Sequence, residues 1–188
     1  MRKICTFTQT YSDSRKELYE FHSKDVSDID FRNNFDSNIY AFHNCSDEYA
    51  SDLLELNYFK ELKNLNILRY NNTSYTNSFK ETLDFLYKNK YDYIIFIQDD
   101  CFSKNDINRE IIDFIKNENF DMLNLETTFD DLKTNNNIFY KKENLEIYNT
   151  TSDDFSKRGL YAFDDGVYVA NVEFILKELY DIEYFSKG

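Results

Sequence analysis

The stretch Tyr91-Asp92-Tyr93-Ile94-Ile95-Phe96-Ile97-Gln98-Asp99-Asp100 sets the reading of the whole chain. Up to Ile97 it is a nearly continuous apolar run of strand length, the pattern of a central strand covered by helices on both faces. It then ends in an amide and two carboxylates. Ligands of open parallel sheets bind beyond the carboxyl ends of the strands, so this triplet stands where such a sheet presents its chemistry. Adjacent carboxylates at a strand end lose solvation and repel one another unless a hard divalent cation or a positive partner neutralises them. Mg²⁺ or Mn²⁺, held by one or two carboxylates and completed by substrate phosphates, meets that need. A helix cap or a solvated Asp-Asp loop is the plainer alternative, and the strongly apolar strand ahead of the pair weighs against it.

Outward from that strand the chain alternates. Residues 3–8 read as a strand, and Ser14-Arg15-Lys16-Glu17 has the capping-box form that opens a helix, here to about Ser23. Residues 38–42 form a second strand; Leu53, Leu56, Phe59 and Leu62 recur at near-helical spacing; residues 66–70 form a third strand. Phe79, Leu83 and Leu86 share one helical face ahead of the central strand. After it, Ile107, Ile111, Phe114 and Ile115 mark a one-sided helix, and residues 121–125 a further strand. This order predicts an α/β fold with a mostly parallel central sheet, helices on both faces and right-handed crossovers. A polar loop at 130–137 then leads to short strand-like pieces at 138–140, 145–148 and 160–163, and a last helix carries Val172, Ile175, Leu176 and Leu179. The expectation is one domain over residues 1–188, with a smaller, partly antiparallel extension over 129–188 on a main half at 1–128.

Bulk properties narrow the classes. With 188 residues, 41% of them hydrophobic and 18% aromatic, the chain suits a single core that buries roughly two-thirds of its unfolded surface. A net charge of -13 opposes the phosphate backbone, which excludes nucleic acid and anionic membranes as partners. The absence of Pro and Trp beside heavy use of Asn, Lys, Ile and Tyr reads as codon bias toward A and T, as in a viral or protist genome. Cys5, Cys45 and Cys101 are odd in number, widely spaced and lack a C-x-x-C pair, so they read as reduced thiols. No apolar stretch has the length of a signal core or a transmembrane span, and a cytoplasmic location is expected. Two His argue against a His-based zinc site, and three Gly leave neither a G-x-S-x-G elbow nor a glycine-rich phosphate loop.

The segment from Tyr91 to Phe102 resembles the metal-binding segment of glycosyltransferases with the A-type fold, the family 2 group especially, whose signature there is an Asp-x-Asp variant. Cys5-Thr6-Phe7-Thr8-Gln9-Thr10-Tyr11 resembles their first nucleotide-binding strand, and Tyr40-Ala41-Phe42-His43-Asn44-Cys45-Ser46-Asp47 the end of their second. The resemblance spans residues 3–130. It implies a Rossmann-like transferase, of inverting type, that moves a sugar from a UDP- or GDP-linked donor to a hydroxyl of a glycan or other acceptor, with Mn²⁺ or Mg²⁺ as cofactor. On it, Asp100 takes the slot of the metal-bound carboxylate, Gln98 faces the ribose, and Asp99 shares either task. Thr8 and Thr10 line the base and ribose. His43 stands where the family has an Asp that holds the base, which leaves the nucleotide open.

A second acidic cluster, Phe163-Asp164-Asp165-Gly166, lies in a region that resembles the family's acceptor-binding segment. An inverting transferase needs a carboxylate to take the acceptor's proton. Asp164 or Asp165 suits that role, and Asp165 is preferred because Gly166 lets the backbone approach closely. An ordinary Asp-Asp-Gly turn is the alternative. Lys157 and Arg158 are either cations for a diphosphate or solvated loop residues. Asp28-Ile29-Asp30, Asp130-Asp131 and Asp153-Asp154 read as polar loops. Two other functions stay open: a sugar-phosphate nucleotidyltransferase, whose glycine-rich, Lys/Arg-containing loop residues 8–15 lack, and a non-catalytic nucleotide- or sugar-binding module.

Overall fold

Alternate residues of the first two strands point to opposite layers of side chains, and this decides how the helices cover the sheet. In the computed structural model, which describes residues 2–11, 15–22, 26–99, 101, 109–125, 138–142, 145–148 and 167–180, the strands are β1 (Ile4–Tyr11), β2 (Ser37–His43), β3 (Leu65–Tyr70), β4 (Tyr93–Phe96), β5 (Met122–Asn124), β6 (Ile138–Lys142), β7 (Leu145–Tyr148) and β8 (Tyr168–Asn171). The helices are α1 (Lys16–His22), α2 (Val26–Arg32), α3 (Asp47–Leu54), α4 (Asn57–Glu61), α5 (Tyr75–Lys88), α6 (Arg109–Asn117) and α7 (Val172–Tyr180).

Among the described residues, six strands form one sheet of order β3-β2-β1-β4-β8-β5. β1 runs parallel to β2 and β4, and β2 parallel to β3. β8 enters antiparallel between β4 and β5, with Phe96 opposite Tyr168 and Leu123 opposite Val169. β6 and β7 pair as a separate two-stranded antiparallel sheet. The fold is therefore α/β, mostly parallel, with its antiparallel strands in the C-terminal part.

On one face, Cys5, Phe7, Ile39, Ala41, Ile94 and Phe96 pack with Phe79, Leu83 and Leu86 of α5 and with Val172 and Ile175 of α7. On the other, Tyr40 and Phe42 meet Tyr19, Tyr58 and Phe59, while Ile4, Tyr93 and Ile95 meet Phe31, Ile112 and Ile115. Each buried Ile, Leu, Val or Phe among them contributes roughly 1.5–3 kcal/mol, so these two faces dominate the stability of the sheet. Ser46 and Ser74 cap α3 and α5 by accepting from the backbone N–H of Tyr49 and Asn77, both at 3.1 Å.

Three features depart from the periodicity. Leu53, Phe59 and Leu62 do share one cluster, but the helix between them is broken at Leu56, whose ψ of 142° is extended. Asp28-Ile29-Asp30 lies in α2, not in a loop, because Ile29 and Phe31 are buried and Asp28 finds Arg32 one turn later. Tyr168–Asn171 forms a strand inside the main sheet where the sequence marked none. The expected strand at 160–163 and loop at 130–137 lie outside the described residues. No helix among the described residues is long and apolar enough to cross a membrane.

Candidate functional site

From β1 the chain moves outward to β2 and β3, then returns to place β4 on the opposite side of β1. The crevice of an open α/β sheet lies at such a switch point, beyond the carboxyl ends of the two strands that flank it. Here those strands are β1 and β4, and their polar residues divide between the two faces of the sheet.

On the face covered by α1 and α2, Asp99 is 4% exposed just past β4. Its Oδ2 lies 3.3 Å from Nε of Arg15. Arg15 is fixed through its backbone, whose N–H donates to the Tyr49 hydroxyl at 2.8 Å and whose carbonyl accepts from Leu18 N at 3.1 Å. Nearby, the hydroxyls of Thr10 and Tyr19 are 2.7 Å apart. Burial first, and then Tyr40 and Asp99, hold the Tyr19 hydroxyl well above its ordinary pKa, so it is a neutral phenol. Thr8 accepts from Nη1 of Arg32 at 3.0 Å. Arg32 Nε donates in turn to Asp28 Oδ2 at 2.7 Å, and the Tyr58 hydroxyl donates to the same oxygen at 2.5 Å.

On the opposite face, beside the start of α5, Gln9 Nε2 donates to Ser78 Oγ at 2.5 Å and to the Tyr75 carbonyl at 3.1 Å. Ser78 Oγ is 3.0 Å from His43 Nδ1, and Asn44 Nδ2 is 3.1 Å from His43 Nε2. Because an amide NH₂ only donates, Nε2 is the bare nitrogen and Nδ1 carries the proton toward Ser78. Burial lowers the His43 pKa, which agrees with a neutral ring. Asn44 and Asn72, both with φ above 50°, clip the ends of β2 and β3 together, with Asn72 N donating to Asn44 Oδ1 at 2.9 Å. Gln9 Oε1 is buried without a hydrogen-bond partner among the described residues.

The residues singled out in the sequence are thus brought to one edge but not to one cluster. Thr8, Thr10 and Asp99 share the α1–α2 face, and His43 sits on the other with Gln9 and Ser78. The hydroxyls of Thr8 and Thr10 are engaged by Arg32 and Tyr19, and both residues are fully buried. Gln98 is half-buried, and its carbonyl accepts from Cys101 N at 3.0 Å, closing the turn after β4. Asp100, Asp164, Asp165, Lys157 and Arg158 lie outside the described residues. Among the described residues no group of three or more His, Cys, Asp or Glu is arranged to hold a metal ion. Of the expected metal ligands only Asp99 lies among the described residues, and its carboxylate faces Arg15. Arg15, Gln9 and Ser78 were not singled out by sequence. For Arg15 a signal existed: it is a cation a few residues past β1, in a chain whose neighbouring strand ends in two carboxylates.

No protein-family model and no curated protein matches the chain. Among solved structures, the fold is similar to that of 4-diphosphocytidyl-2C-methyl-D-erythritol synthase from Anaerococcus prevotii DSM 20548, with 11% identity, a TM-score of 0.52, and coverage of 99% of this chain and 78% of that one. The apo structure of the bifunctional glycosyltransferase WbbM aligns with 95% of this chain at 14% identity and a TM-score of 0.45, and the chain spans 33% of its length. The likeness is one of fold, a Rossmann-like sheet flanked by helices.

Proposed function

We propose that the chain is a cation-assisted glycosyltransferase that moves a sugar from a UDP- or GDP-linked donor to a hydroxyl acceptor, such as a glycan, with inversion. The observation that carries this reading is the ion pair at the switch point between the carboxyl ends of β1 and β4, where Oδ2 of buried Asp99 lies 3.3 Å from Nε of Arg15. A crevice at this point of the topology is where a nucleotide binds in folds of this kind. The fold neighbour whose name carries a diphosphocytidyl group supports a nucleotide-linked substrate.

In this reading the nucleoside lies over β1 and β2. Gln98 faces the ribose and His43 borders the base as a neutral ring, while Thr8 and Thr10, fully buried and bonded to Arg32 and Tyr19, shape the strand end beneath the nucleoside without touching it. Asp100, with Asp99 beside it, would hold Mn²⁺ or Mg²⁺, and the bound cation would offset the charge of the departing diphosphate. Asp165, or Asp164 next to it, takes the proton from the acceptor hydroxyl as that oxygen attacks the anomeric carbon.

A second reading is a sugar-phosphate nucleotidyltransferase, favoured by the diphosphocytidyl synthase fold match and by a cation following β1. One assay separates the two. The protein is incubated with UDP- and GDP-sugars and hydroxyl acceptors, and in parallel with nucleoside triphosphates and sugar phosphates. Release of UDP or GDP with sugar transfer or hydrolysis supports the glycosyltransferase. Release of pyrophosphate in the parallel reaction supports the second reading. Nucleotide binding without either reaction indicates a binding module.

A further inference from the structure

We infer that Arg15 is an anion-gripping residue whose guanidinium, turned by Asp99, binds the diphosphate of the donor without needing a divalent cation. The inference deepens the glycosyltransferase reading and rests on it for the identity of the anion. It is carried by a contrast between two of the arginine–aspartate pairs among the described residues, Asp28–Arg32 and Asp99–Arg15.

The Asp28–Arg32 pair is purely internal. Both side chains are 1% exposed, Nε donates at 2.7 Å, and Nη1 is engaged by Thr8. Every part of that pair is built to stay closed. The Asp99–Arg15 pair is built differently. Asp99 is buried, with a side-chain exposure of 5%, whereas Arg15 keeps 33%. Only Nε faces Asp99, and at a loose 3.3 Å. Among the described residues no hydrogen bond engages Nη1 or Nη2 of Arg15, while its backbone N–H is tied to Tyr49 and its carbonyl to Leu18. A guanidinium paired through Nε, on a residue tied by its backbone and one-third exposed beside the switch point, can match two phosphate oxygens at once with its terminal fork. On a chain of net charge -13, an anionic ligand needs such a local cation to approach at all. Asp99 in this role is a positioning residue: its charge aims Arg15 and moderates the positive potential until the ligand arrives.

The test is calorimetric titration of the whole chain with inorganic pyrophosphate in EDTA, at low and at raised salt. Wild type is expected to bind, more weakly as salt rises. Arg15→Gln is expected to bind roughly tenfold or more weakly, the loss of a charge-assisted hydrogen bond, and Arg15→Lys to recover only part, since it restores charge without the fork. Wild type that ignores pyrophosphate in EDTA overturns the inference, as does a folded Arg15→Gln that binds like wild type. If Arg15→Gln does not fold, Arg15→Lys decides: unchanged affinity overturns the fork, and a several-fold loss supports it. Titration with UDP in Mn²⁺ separates the two levels. Equal binding by wild type and Arg15→Gln removes Arg15 and leaves the glycosyltransferase reading. Pyrophosphate binding through Arg15 without any UDP or GDP binding removes the wider reading and keeps the anion site.

Discussion

Asp28 and Asp99 are both buried carboxylates beside an arginine, and the burial of the arginine separates a structural pair from a working one. Burial works against the charge of Arg32, while Asp28, Tyr40 and Tyr58 more than offset it and hold its pKa well above the ordinary value. Asp28→Asn leaves that guanidinium buried and unpaired, so it is expected to destabilise the protein by about 3–5 kcal/mol in urea unfolding. Asp99→Asn is expected to cost clearly less, because Arg15 can turn to solvent. His43 gives a pH signature. Its pKa is lowered by burial from the usual 6.5, so the unfolded chain takes up the proton first. Stability from this residue is complete above about pH 6.5 and falls as pH drops through the interval down to the lowered folded value. Urea midpoints of wild type and His43→Gln between pH 5 and 7.5 should converge at the acid end. On the proposed mechanism, Asp165→Asn should cut turnover roughly 10²–10⁴-fold with donor KM little changed, read from steady-state kinetics on folded protein. At this scale Asp99 and His43 were legible as polar residues at strand ends. Arg15 offered only the signal of a cation shortly after β1, because its partner Asp99 comes from the end of β4, and Asp28 was not legible, because its partner is visible only once α2 is a helix.

The elements that the sequence announced most clearly are those whose own periodicity reports their burial. Tyr93–Phe96 is buried at every position, and Phe79, Leu83 and Leu86 form one face of α5. Leu83→Ala on that face is expected to cost about 2–5 kcal/mol, and Ser74→Ala at its N-cap about 1 kcal/mol, both measured by chemical denaturation. β8 stayed hidden for a physical reason. Its four residues, Tyr168 to Asn171, are too few for a pattern, and they are held by pairing with β4 and β5, strands distant in sequence. The break between α3 and α4 was hidden for the opposite reason: Leu53, Phe59 and Leu62 pack together whether or not one helix joins them.

At the scale of the molecule, the alternation of strands and helices foretold the sheet class, mostly parallel with helices on both faces. It could not foretell that the polar residues of β1 divide between two faces, Thr8 and Thr10 under α1 and α2 and Gln9 under α5, although alternation along a strand requires such a division once both faces are covered. Nor does a strong net negative charge reveal that a partly exposed guanidinium stands at the switch point. The end of β4 is the centre of the proposed function: Asp99 pairs there with Arg15, and Asp100 is the residue proposed to hold the cation. Calorimetric titration of UDP and GDP, with and without Mn²⁺, into wild type and Asp100→Ala tests this most directly. Mn²⁺ is expected to tighten nucleotide binding by wild type, and Asp100→Ala to lose that gain. An Asp100→Ala protein that binds the diphosphate in Mn²⁺ as tightly as wild type contradicts it.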